Sequence, residues 1–234
     1  MIHEYGLTFG YSKIHIKCDK REAIPKAVEE IKHHVRELLD YVERNPQFRY
    51  LLEPQSVDSN APPVIQRMIE ASRIANVGPM ASVAGAIADL GLEALLKMGS
   101  RVAVVENGGE IAAYTADKNI PVSVVTGEGV LSGKIGFLIT TDDSPAGIAT
   151  STGKTLRTIS FGEADSVTVI AENATLADAA ATSICNAVSG KNIEDSIRRG
   201  LERAREVSGV RGAMIFRDGH VGLIGKLPKI IRLR

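Results

Sequence analysis

The stretch SVTVIAENATLADAAAT, residues 166–182, decides how this chain folds. Its first six residues, 166–171, are the short β-branched run of a strand. From residue 174 to 188 the pattern becomes alanine-rich and reads as a helix. Asp178 and Thr182 stand four apart on that helix, so they share one face. The alanines around them leave Asp178 partly desolvated. A buried unpaired carboxylate is costly unless a cation or a hydrogen-bonding cluster relieves it. A carboxylate with a hydroxyl is a hard-oxygen pair suited to Mg²⁺, which completes its octahedron with phosphate oxygens and water. The competing reading is structural. In it, Asp178 is an early-helix residue favoured by the macrodipole and Thr182 bonds back to a carbonyl. Spacing alone does not choose between them.

Working outward, residues 5–17 alternate apolar and polar types and predict a strand or hairpin. Residues 19–43 carry apolar positions at steps of three and four, which predicts a long helix with Asp19 as N-cap and Asn45-Pro46 as its stop. Residues 53–63, with three prolines, read as a loop and the best internal boundary. Helices follow at 64–75 and 81–98. The second of these is rich in Ala, Gly and Leu and should be buried. Strands are expected at 101–106, 110–114, 122–125 and 134–140, with turns at Asn107-Gly108-Gly109 and Gly127-Glu128-Gly129. A charged amphipathic helix covers 193–207, and Arg217-Asp218-Gly219 closes a hairpin between 213–216 and 220–224. The sum is an α+β fold with a mixed or antiparallel sheet and packed helices. It is read as a single domain over 1–234, with a strand and long-helix segment to residue 60 and a core from 61.

Composition narrows the function classes. Lys+Arg 28 balance Asp+Glu 28, which removes the electrostatic footprint of a nucleic-acid binder. With no Trp and 4% aromatics, single-strand stacking is excluded too. No run approaches the ~20 apolar residues of a membrane span, and the N-terminus lacks a secretory pattern. Cys18 and Cys185 show no CxxC spacing and read as free, inert thiols of a cytoplasmic protein.

Several motifs are weaker than they look. Gly153-Lys154-Thr155 ends like a phosphate-binding loop, but the first glycine of that pattern falls on Ile148. Residues 156–161 also alternate like a strand instead of opening a helix. His33-His34 sits inside a helix, where adjacent side chains leave ~100° apart, so a solvated or packing role is read. His15 and Cys18 lack two further ligands at zinc-like spacing. Asp142-Asp143 reads as a turn. Gly108, Gly109 and Glu110 form either a plain hairpin turn or a place where bare backbone meets a ligand. Ala149, Thr150 and Ser151 lie in a small-residue loop that either binds phosphate or turns the chain.

In this order, these segments resemble the ApbE family of flavin-handling proteins, over roughly residues 78–188. The likeness rests on Gly78 and Ala81, on Gly108-Gly109-Glu110, on Ala149-Thr150-Ser151, and on Leu176-Ala177-Asp178-Ala179 with Thr182. It implies FAD or FMN bound with Mg²⁺ and transfer of FMN to a protein threonine. It also implies Asp178 and Thr182 as metal ligands with the Ala81 carbonyl as a third, and Gly108, Gly109, Glu110 and Ala149–Ser151 along the nucleotide. Two departures stand out. The family's Gly-Gly-Ile-Ala-Lys-Gly reads Gly78-Pro79-Met80-Ala81-Ser82-Val83, and its His-x-x-x-Asp-Pro segment is missing. The nearer likeness is to a shorter, cytosolic ApbE-like family of uncharacterised proteins from anaerobes. That likeness implies homocysteine and sulfur amino-acid metabolism, a ferredoxin-type partner and a small-molecule ligand, or a non-catalytic assembly role. The apolar helix at 81–96 also raises the expectation of a homo-oligomer.

Overall fold

The computed structural model describes residues 1–124, 134–154 and 160–233. Two sequence readings, the turn at Gly127-Glu128-Gly129 and the alternation over 156–159, lie outside the described residues.

Two strands open the chain, β1 (His3–Phe9) and β2 (Ser12–Cys18), paired as the expected hairpin. Helix α1 (Ile24–Arg44) begins with Pro25 in its first turn, where a missing N–H costs nothing, and stops at Asn45. Asp19 does not cap it, because a 3-10 turn at Arg21–Ala23 intervenes. Instead the Asp19 carboxylate accepts from the Arg101 N–H at 3.1 and 3.3 Å, tying the end of β2 to the start of the next strand. Helix α2 (Pro63–Ala75) and a 3-10 turn (Pro79–Ser82) lead into α3 (Val83–Lys97). Then come β3 (Val102–Asn107), β4 (Glu110–Thr115), β5 (Ile120–Ser123), β6 (Ile135–Ile139), β7 (Ala146–Ser151) and β8 (Ser166–Ala171). The chain ends with α4 (Ala174–Ala187), α5 (Ile193–Glu206), β9 (Val210–Arg217), β10 (His220–Gly225) and β11 (Lys229–Arg232).

Eight strands form one antiparallel sheet, in the order β1-β2-β3-β4-β7-β8-β9-β10, and β11-β6-β5 form a second. The central strands β3, β4, β7, β8 and β9 of the large sheet are buried on both faces, and side-chain alternation sorts their residues. Ala103, Val105 and Ala112 pack with α1, α2 and α3. Ala149, Val167, Val169, Ala213 and Ile215 pack with α4 and α5. The alternate residues Val102, Val104, Ile111, Ile148, Ile170 and Met214 meet Phe137 and Ile139 of the small sheet.

Two expectations are corrected here. Residues 147–153 are not a loop, because 146–151 form β7 in the middle of the large sheet. Its Gly, Ala, Thr and Ser residues lack a strand's usual bulk, and pairing with β4 and β8 imposes the strand. Pro79–Lys97, taken with its leading turn, is long and apolar enough by composition to cross a membrane, contrary to the reading above. It is a core helix: 67% of that window is buried, with α3 packed on α1, α4, β3 and β4. Its apolar surface is thus consumed within the chain. Asp142-Asp143 is the expected turn, a 3-10 turn at Thr141–Asp143 closed by the Thr140 hydroxyl on Asp143 at 2.7 Å.

A candidate cation and nucleotide corner where two helices cap each other

Helices α3 and α4 run past each other so that each N-terminus meets a carboxylate from the other. From α3, Asp89 Oδ1 accepts the Ala174 N–H at 2.9 Å. Its Oδ2 accepts the Thr175 N–H at 2.8 Å and the Thr175 hydroxyl at 2.5 Å. From α4, Asp178 Oδ2 accepts the Gly85 N–H at 3.0 Å, and the Ala84 N–H faces it as well. Both carboxylates therefore satisfy helix-end donors that have no intrahelical partner. Asn173 completes the start of α4, its side chain accepting from the Leu176 N–H at 2.8 Å.

The crossing is close because a glycine stands at it. A Cβ on Gly85 would lie 2.2 Å from the Ala174 carbonyl oxygen and 2.9 Å from the Thr175 nitrogen. On the sheet side, a Cβ on Gly147 of β7 would lie 2.0 Å from the Asn173 oxygen. The N-terminus of α4 is thus wedged between two bare stretches of backbone.

The hairpin turn between β3 and β4 reaches the same corner. Gly108 and Gly109 take positive φ values of 70° and 122°, so the turn reading of this segment holds. Asn107 Nδ2 donates to the Ala84 carbonyl at 3.2 Å, fixing the turn to the start of α3. Glu110 follows, half-buried and on the helix face of β4. Burial raises its carboxyl from 4.5 to about 7, with the Glu106 charge adding to the effect. Asp178 is raised well above its ordinary value by burial first and by the Glu110 charge second, against the Gly85 and Ala84 N–H groups that oppose the rise. The Glu110 charge thus bears on Asp178.

Thr182 lies one turn along α4 from Asp178, and the turn holding Ala81 packs on α4. Thr182 is half-buried, and its hydroxyl makes no side-chain hydrogen bond among the described residues, so the back-bonded alternative is not realised. The remaining sequence candidates separate. Ala149 is buried against α4 in the core. Thr150 points to the opposite face of the sheet, its hydroxyl 2.9 Å from that of Thr168. Ser151 is buried and, with Ser160, meets the Cys185 thiol, two turns along α4 from Asp178. Lys154 is engaged by carboxylates. Its ammonium pairs with Asp165 and with Asp218, the latter at 2.8 Å, and Thr155 lies outside the described residues. Ser82 stands where the resemblance has lysine, buried, with its hydroxyl donated to the Pro79 carbonyl at 3.0 Å.

Sequence reasoning missed Asp89, whose signal was a buried acid in a mostly apolar helix that carries one other acid, Glu93. Replacing it with Ala leaves two backbone N–H groups and a hydroxyl buried without acceptors. That is expected to cost about 3 kcal/mol, measured by urea unfolding; a loss below about 1 kcal/mol would show that α4 is not capped this way.

The architecture defines the class: an ApbE-type fold. The flavin transferase ApbE from Vibrio cholerae superposes with a TM-score of 0.62 at 14% identity, covering 96% of each chain. The ApbE protein of Thermotoga maritima gives 0.59 at 13% identity, over 99% of this chain and 97% of that one. Residues 3–219 match the family described as AbpE bacteria, and the chain belongs to that family. Its relatives include the UPF0280 protein of Methanothermobacter thermautotrophicus, 44% identical over 195 residues, which span 83% of this chain and 75% of that protein. The UPF0280 protein of Methanocaldococcus jannaschii is 37% identical over 224 residues, covering 94% of this chain and 90% of that protein.

Proposed function

We propose that this chain binds a flavin nucleotide, FAD or FMN, through a divalent cation held by Asp178 and Thr182. The observation that carries the reading is the pair Asp178 and Glu110. Burial raises both carboxyl groups, and the Glu110 charge raises Asp178 further. A hard cation relieves that charge, and the free Thr182 hydroxyl supplies a second oxygen on the same helix face. When bound, Mg²⁺ supplies charge neutralisation for the nucleotide's phosphates. The Gly108-Gly109 turn offers bare backbone at the same corner.

Binding without transfer is the better-supported form of this reading. Ser82, at the position of the family's lysine, is committed to packing, and the family's histidine segment has no counterpart in the sequence. The sulfur amino-acid role implied by the resemblance gains no residue from the fold. Burial pushes the thiols of Cys18 and Cys185 upward, away from the thiolate that sulfur chemistry needs. Calorimetric titration with FAD, with and without Mg²⁺, tests the proposal. Saturable binding that requires Mg²⁺ is the expected result; heat of binding unchanged by Mg²⁺, or none at all, overturns it.

A further inference from the structure

We propose that His33, His34 and Glu37 on α1 form a site for a borderline divalent metal ion of the Zn²⁺ class, beside a polar cleft. This inference is independent of the flavin reading. Adjacent Cα–Cβ bonds do diverge on a helix, but the imidazoles are long enough to turn back toward a shared partner one turn ahead. His34 Nδ1 lies 2.8 Å from one Glu37 carboxylate oxygen, and His33 Nε2 lies 3.4 Å from the other. One ligand atom from each of the three residues falls within 4.8 Å of the others. Two imidazoles and a carboxylate are the mixed donor set that Zn²⁺ takes with three protein ligands and one open position.

The surroundings favour a cation over a plain hydrogen-bonded cluster. His34 is only 8% exposed, so its ring is held by packing and not free to turn away. Glu30 approaches its Nε2 from the preceding turn at 3.8 Å, the place of an outer partner that orients a ligating imidazole. Lys26 pairs with Glu29 and Glu30, while Lys32 and Arg36 lie over the Phe9 ring. Among the described residues, the ion-pair partners of Glu37 are the two histidines. It also lines a cleft of about 410 Å³ with Asp40, Tyr41, Arg44, Asp58 and Asn60, which gives an incoming water or anion access to this stripe of α1.

The test uses the full chain carrying Asp178→Asn, so that the other corner contributes nothing. Zn²⁺ is titrated in competition with a chromophoric chelator. One Zn²⁺ per chain is expected, and His33→Ala and Glu37→Gln should each weaken it by more than about tenfold, since outer partners alone are worth roughly 10–100-fold. His33 is exposed and Glu37→Gln keeps a hydrogen-bonding side chain, so both variants should show the parent's thermal melting. A millimolar excess of Mg²⁺ should leave bound Zn²⁺ in place, because nitrogen donors favour the softer ion. Absence of Zn²⁺ uptake, uptake indifferent to both substitutions, or displacement by Mg²⁺ would each overturn the assignment.

Discussion

Asp178→Asn is expected to leave the fold intact while weakening Mg²⁺-dependent flavin nucleotide binding by more than about 100-fold, because even outer-shell partners of a metal are worth roughly 10–100-fold. The asparagine carbonyl still accepts the Gly85 N–H, so the start of α3 keeps its cap. What disappears is the charge. Asp178→Ala removes both and should add a stability loss of about 1–3 kcal/mol from the uncapped backbone donors. The pair of variants thus separates a ligand from a cap.

Stability against pH gives a second readout of the same corner. The folded chain holds the protons of Asp178 and Glu110 more tightly than the unfolded chain does. The contribution of this pair to the stability of the metal-free protein is therefore greatest below about pH 4, where both carboxyls are protonated in both states. It falls as pH rises from there through about 7. For Glu110, the move from 4.5 to about 7 corresponds to about 3 kcal/mol of stability lost above pH 7. Glu110→Gln should flatten the decline, and Mg²⁺ should restore stability at pH 8 but not at pH 4. Denaturant unfolding across this range checks the sign. A parent whose stability falls no more steeply than that of Glu110→Gln from pH 4 to 8 would contradict the buried pair.

Gly85→Ala is expected to destabilise the chain strongly, because the methyl would enter the α3–α4 crossing. The new carbon would stand 2.2 Å from the Ala174 oxygen and 2.6 Å from its carbonyl carbon, both backbone atoms that no rotamer change can move. Helix α3 must back away from α4, which breaks both reciprocal caps together. Overpacking of this kind costs about 3 kcal/mol or more, and at roughly 2–4 °C per kcal/mol the melting temperature should fall by about 10 °C. Because the same shift carries Gly85 away from Asp178, Mg²⁺ and nucleotide binding should weaken in parallel. Scanning calorimetry with and without Mg²⁺ measures both, and wild-type melting would mean that the helices cross less closely than described.

The sequence by itself determined the elements whose signals are local. The apolar steps of α1, the Asn45-Pro46 stop at its C-terminal end, the alternation of the first hairpin and the Asp218-Gly219 turn each follow from neighbours a few residues apart. The shared face of Asp178 and Thr182 was legible for the same reason. The tertiary structure decided what no local period encodes. Strand β7 is a strand because β4 and β8 supply its hydrogen bonds, although its small residues read as a loop. Thr150 was separated from Asp178 by sheet alternation, a consequence of that strand. Asp19 found its partner 82 residues away instead of capping the next helix. The roles of Asp89 and Asp178 exist only where α3 and α4 cross. A helix end needs acceptors, and which distant carboxylate supplies them is fixed by packing, not by the sequence around it.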